Sequence, residues 1–209
     1  MSDDKPKSTL RQLLEEDPAT DKHILRYLDL AEELQAAVAR NDKQAMLEIG
    51  RKLRENARQK QAADLARRTS MEAAVEKAMA ETDPDQRVAR LLEAFELCAK
   101  TRVTAYDDAA DKESGDAATR HLFNIAKALD AIPPGRRTAL VPFLDSADEG
   151  LRVVAAIHLK TMMQDRILPI LRELEQKAGS VGMSAMWALV PDPPASPPPA
   201  PAVKKPGEP

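Results

Sequence analysis

Leu140-Val141-Pro142-Phe143-Leu144 returns twenty-seven residues later as Ile167-Leu168-Pro169-Ile170-Leu171. Behind each copy lies a stretch of small and apolar residues. The first is followed by Val153-Val154-Ala155-Ala156-Ile157-His158-Leu159, the second by Gly182-Met183-Ser184-Ala185-Met186-Trp187-Ala188-Leu189. A recurring unit of two helices cannot bury its apolar face alone, so it must stack on a neighbour. The chain therefore reads as all-α, with stacked helix pairs in its last third. Such an architecture displays a surface rather than a catalytic cleft.

Outward from that repeat, the boundaries follow from helix signals. Asp83-Pro84 is the clearest internal break, because proline suits the first residue of a helix. The helix it opens runs to about Ala110 through Val88, Leu91, Leu92, Phe95, Cys98 and Ala99. Glu113-Ser114-Gly115-Asp116 interrupts, and a further helix spans Ala117 to Ala131 before Pro133-Pro134-Gly135. Upstream, residues 20–84 form an N-terminal helical region. Its first helix carries Ile24, Leu25, Tyr27, Leu28, Ala31, Leu34 and Val38 at spacings of three and four, and Asn41-Asp42 ends it. The second runs from Lys43 to Arg68, and its apolar-poor latter half is expected to project into solvent or meet a partner. Thr69 and Glu72 are spaced as a capping box, which predicts a fresh helix to Glu81.

The remaining segments are short. Residues 1–19 read as disordered or as a short helix opening at Ser8 and stopping before Asp17-Pro18. Residues 191–209 hold nine prolines and read as a disordered tail.

Composition narrows the function. Charged residues make up 31%, apolar ones 43% and aromatics 3%, so stacking platforms for bases or sugars have few residues to build them. A net charge of −3 gives no drive toward nucleic acid. One cysteine, Cys98, rules out an intrachain disulfide, and its place on an apolar helix face makes it a core residue. The N-terminus is polar and no run reaches bilayer length, so a cytoplasmic protein away from membranes is expected.

From Arg90 to Leu189 the chain resembles the bacterial domain-of-unknown-function family numbered two thousand and nineteen. The residues that carry the likeness are Arg137 to Leu144, then Asp145, then Leu151-Arg152-Val153-Val154-Ala155-Ala156, and finally Gly182 to Leu189. The resemblance implies helical hairpins followed by a short HEAT-like α-solenoid over residues 85–190. It also implies a bond across the repeat between Asp145 and Arg152. Relatives of this kind imply a non-enzymatic role as an immunity protein that binds a cognate toxin.

The sharpest chemical string is Asp107-Asp108-Ala109-Ala110-Asp111. On one helix it would set three carboxylates on one side, as in the aspartate-rich motif it resembles in all-helical isoprenoid synthases, where carboxylates hold magnesium. Those enzymes carry a second acidic motif and an aromatic-lined pocket, which this sequence does not show. Glu93 and Glu96, followed by Asp108 and Asp111, are also similar to the paired acidic motifs of all-α nucleotide pyrophosphohydrolases. That reading requires two helices, and a single helix would hold Glu96 and Asp108 about 18 Å apart.

Asp107, Asp108, Asp111 and Glu113 at a helix C-terminus oppose the helix dipole, and charge kept against stability suggests a binding surface. These four are the expected contact residues for a protein partner, a basic toxin such as a nuclease fitting best. Arg51, Lys52, Arg54, Arg58, Lys60, Arg67 and Arg68 give a basic helix, the third reading being a nucleic-acid scaffold. His23, His121 and His158 lie far apart, with His158 expected as a surface or boundary residue. No catalytic residue, metal or cofactor is expected.

Overall fold

A computed structural model describes residues 22–107 and 111–191. The expected N-terminal helix from Ser8, the proline-rich tail and Asp108 lie outside the described residues. All described secondary structure is helical. In order these are α1 (Lys22–Ala39), α2 (Lys43–Ala80), α3 (Pro84–Asp107), α4 (Lys112–Ala131), a 3-10 helix (Arg137–Asp145), α5 (Glu149–Leu159), α6 (Gln164–Leu174) and α7 (Gly179–Leu189). None of these helices is long and apolar enough to cross a membrane. The chain divides into two compact units that part between Ala80 and Glu81.

The first unit is the α1–α2 hairpin. Asn41 turns the chain in the left-handed region (φ 52°), a conformation Asn tolerates. The Asp42 carboxylate then accepts from the Ala45 N–H at 3.0 Å and opens α2. The core is a narrow stripe of Leu30, Ala37 and Ile49, with Leu34, Ala45, Met46 and Leu53 packed on it. Tyr27 and Val38, expected inside, are each 57% exposed. A two-helix hairpin has only one contact line, and the stripe it covers runs through Leu30, Leu34 and Ala37. Asn56 is buried and clasps the start of α1: its amide donates to the His23 carbonyl at 3.1 Å, and its oxygen meets His23 Nδ1 at 2.9 Å.

No break occurs at Thr69. Its hydroxyl donates back to the Leu65 carbonyl at 2.9 Å, a bond made inside a helix, and Arg68 pairs with Glu72 on the adjacent turn. A cap needs non-helical backbone, and between Lys43 and Ala80 no proline or paired glycine supplies it. Ala57, Ala62, Leu65 and Ala66 are exposed, as the apolar-poor sequence predicts.

The second unit begins where Asp83 caps α3, accepting from the Gln86 N–H at 2.8 Å. Leu91, Ala94, Phe95, Cys98, Ala99 and Ala105 face inward from α3, and Leu122, Ile125, Ala126 and Leu129 from α4. The 3-10 helix and α5 then form one pair and α6 and α7 the next, with Pro142 and Pro169 inside the leading helix of each. Helix α5 lies at the centre, packed on the 3-10 helix, α3, α6 and α7. It is apolar almost all round, as a fully enclosed helix must be.

The bond expected between Asp145 and Arg152 is not formed. Arg152 makes a two-pronged contact with Glu173 of α6 at 3.0 and 3.2 Å, while Asp145 meets Arg166 at 3.2 Å. The reason lies in the turn. Asp148, three residues before Leu151, takes the capping position and accepts from its N–H at 3.0 Å. Asp145 and Arg152 are thereby left to reach α6 instead.

A second correction concerns His158. It is buried at 8% exposure, edge-on to Phe95 (ring centroids 5.6 Å) and to Phe123 (5.1 Å). Phe95 in turn stacks on Phe143 at 5.8 Å. Burial, helped by the Arg137 and Arg102 charges, pushes the His158 pKa down to about 4.

Candidate functional site

The last turns of α3 and one side of α7 enclose a groove of about 640 Å³. Three steps of local chemistry build it. Arg102 and Tyr106 are four residues apart, so they share a face of α3. Gly179 turns the chain at φ +72°, a conformation that favours glycine, at the first position of α7. Asp107 then accepts from the Ser180 N–H at 2.6 Å, supplying a cap to α7 from a helix far away in sequence. A Cβ at position 179 would lie 2.8 Å from that carboxylate oxygen.

Helix α7 turns its small residues inward and its large ones outward. Gly182, Ser184 and Ala185 are buried, whereas Met183 is 59% exposed, Met186 51% and Trp187 66%. A Cβ on Gly182 would overlap the Lys177 carbonyl oxygen, so that side of the helix admits nothing larger. Met183, Trp187 and Ala188, with Ile157 from α5 and Tyr106 from α3, line the groove's apolar side.

Arg102 is its polar feature. The half-buried guanidinium donates to the Ser184 hydroxyl at 3.1 Å and lies 5.2 Å from the Tyr106 ring centre. No carboxylate among the described residues pairs with it. Burial pushes its pKa down, with the Tyr106 hydroxyl as the opposing influence.

Of the acidic contact residues singled out in the sequence, the described ones, Asp107, Asp111 and Glu113, do not form one face. Asp107 closes α3 and caps α7, while Asp111 precedes α4 and its carbonyl accepts from the Ser114 and Gly115 N–H groups. Glu113 sits in the first turn of α4, exposed. Of these described residues, Asp107 alone therefore meets the negative end of a helix dipole; Asp111 and Glu113 stand at a helix start, where negative charge is stabilising. The expected interruption at Glu113 to Asp116 is instead the opening turn of α4. Gly115 is a packing position, where a Cβ would lie 3.1 Å from the Tyr106 ring. Nearby, Asp116 accepts from the Tyr106 hydroxyl at 3.0 Å and from Lys112 at 2.5 Å, which lowers its pKa and raises that of Lys112.

Among the described residues the paired-carboxylate arrangement is not assembled either. Helix α3 is continuous from Pro84 to Asp107, and Glu96 is bonded to Lys100 at 2.6 Å. Glu96 and Asp107 stand about 16 Å apart along the axis at 1.5 Å per residue. Among the described residues, no cluster of three or more His, Cys, Asp or Glu side chains is placed to hold a metal.

The basic helix is largely neutralised where it stands: Arg51 pairs with Glu48, Lys52 with Glu33, Lys60 and Arg67 with Asp64, and Arg68 with Glu72.

Sequence reasoning missed Arg102 and took the Met183 to Leu189 run as packed. The signal was present, since Gly182 and Ala185 fall on one side of a helical wheel and Met183, Met186 and Trp187 on the other. No family model matches the chain, and neither does any curated protein or solved structure.

Proposed function

We propose that this chain is a non-enzymatic protein-binding module whose docking face is the outer side of α7 with the groove beside it. One observation carries the reading: Met183, Met186, Trp187 and Val190 are all more than half exposed on one short segment. Clustered large apolar groups in water mark an interaction surface, and Met, Trp, Tyr and Arg are the side chains enriched where proteins meet. In its narrower form, from the family resemblance, the module is a bacterial immunity protein that neutralises a toxin by direct binding. The groove then takes over the role first given to the acidic residues, because Asp107 is occupied in capping α7.

The test uses the full chain as bait against the product of a gene encoded beside it, with Met183→Glu and Trp187→Ala as comparisons. A partner held by the native chain and lost from both variants supports the docking face. Equal retention by all three places the interface elsewhere. For the narrower form, co-expression must protect cells from the neighbouring product, and unprotected cells dispose of immunity.

A further inference from the structure

Five of the second unit's nine arginines are held by carboxylates among the described residues. Arg90 bonds Glu81, Arg136 bonds Asp85, Arg137 bonds Asp130, Arg152 bonds Glu173 and Arg166 bonds Asp145. Arg87, Arg102, Arg120 and Arg172 have no such pair, and of these Arg102 lines the groove, where its partners are a neutral hydroxyl and an aromatic ring. A guanidinium removed from water without a counter-charge is costly, and an arriving anion offsets that cost. Its planar fork carries five N–H donors and matches a carboxylate two bonds at a time.

We propose that the groove between α3 and α7 reads an acidic residue on the partner: an Asp or Glu carboxylate seats on Arg102 while a bulky apolar side chain beside it packs against Tyr106, Met183 and Trp187. The inference rests on the docking face proposed above and specifies what that face selects. Two features favour a single carboxylate over a phosphate. The apolar walls cannot solvate a doubly charged, strongly hydrated group. Asp107 stands on the same rim, and its negative charge weighs against a second one. The volume of about 640 Å³ suits one or two side chains rather than a whole domain. Aromatic and Arg anchors in one small pocket are the usual composition of an interface hot spot.

Trp187 is the chain's one tryptophan, so intrinsic fluorescence reports occupancy of this groove. The full chain is used to select binders from a random dodecapeptide display library, and the enriched peptides are resynthesised with each acidic residue replaced by its amide. The expected consensus holds Asp or Glu next to a large apolar residue. Its amide form should titrate the Trp187 signal at least tenfold more weakly, and Arg102→Met should erase that difference while Arg102→Lys keeps part of it.

Enriched peptides that bind equally in acid and amide form, yet are lost with Met183→Glu, refute the acid-reading role and leave the docking face standing. Peptides indifferent to Arg102→Met and Met183→Glu alike, or no saturable binder, overturn both. The peptide-side exchange needs no protein variant, so the proposal stays refutable if Arg102→Met fails to fold, which circular dichroism would reveal.

Discussion

Acidification should destabilise the second unit through His158. The ring is edge-on to Phe95 and Phe123, and Arg137 and Arg102 add positive charge, so the folded protein holds it neutral down to a pKa of about 4. In the unfolded chain the same group takes its proton near the ordinary imidazole value of 6.5. Between those two values the unfolded state binds more protons, so stability falls as pH falls and levels off below the folded pKa. Each pH unit of the gap is about 1.4 kcal/mol, which gives about 3 kcal/mol in full and about 2 kcal/mol by pH 5. Urea unfolding at pH 7 and pH 5 would measure this in the native chain and in His158→Asn, which has nothing to protonate there. Every other group is common to both proteins and cancels in the double difference. The native chain should lose about 2 kcal/mol more than the variant. Parallel losses would mean that His158 is not held neutral by burial.

Gly182→Ala should destabilise the fold by about 2 kcal/mol or more, because the neighbouring atom is backbone and cannot rotate away; Gly50→Ala, with nothing within 4 Å, should stabilise α2 by about 0.5–1 kcal/mol. Equal melting shifts for the two would contradict the packing of α7. Asp107→Ala should cost about 1 kcal/mol and speed amide exchange at Ser180, with Asp107→Asn milder. Unchanged exchange would mean that the cap is not formed. Cys98 is fully buried with its thiol pKa pushed up to about 12, so a thiol reagent at neutral pH should label it only at the rate of unfolding. Rapid labelling of the native chain would place it at the surface.

Much of the fold could be read from the chain because helices announce themselves locally. The Asp83-Pro84 start and the inward face of α3 both depend on spacing within one element. What failed depended on which element lay opposite. Thr69 and Glu72 have the spacing of a cap, yet the spacing is also met inside a continuous helix when no neighbour breaks it. Arg152 has several acids within reach of its length, and only the placement of α6 selects Glu173. Asp107 read as a charge held against a dipole, while its carboxylate serves another helix's start. His158 read as a boundary residue because its aromatic cage comes from α3 and α4.

The orientation of α7 is the step on which the functional reading depends, and packing gives it a physical cause. Helices α3 and α5 approach closely at Gly150, where a Cβ would lie 2.9 Å from Val103. Against so tight a layer, α7 can seat only its small side, and Gly182 against Lys177 fixes which side that is. Such packing explains why glycine, serine and alanine point inward. It does not require anything of the outward positions, where a charged residue would serve solubility better than methionine or tryptophan. Three of the chain's large apolar groups occupy those positions within five residues, beside an arginine left without a carboxylate. A face whose composition is not dictated from within, and which is unfavourable in water, is the face to test for contact with another protein.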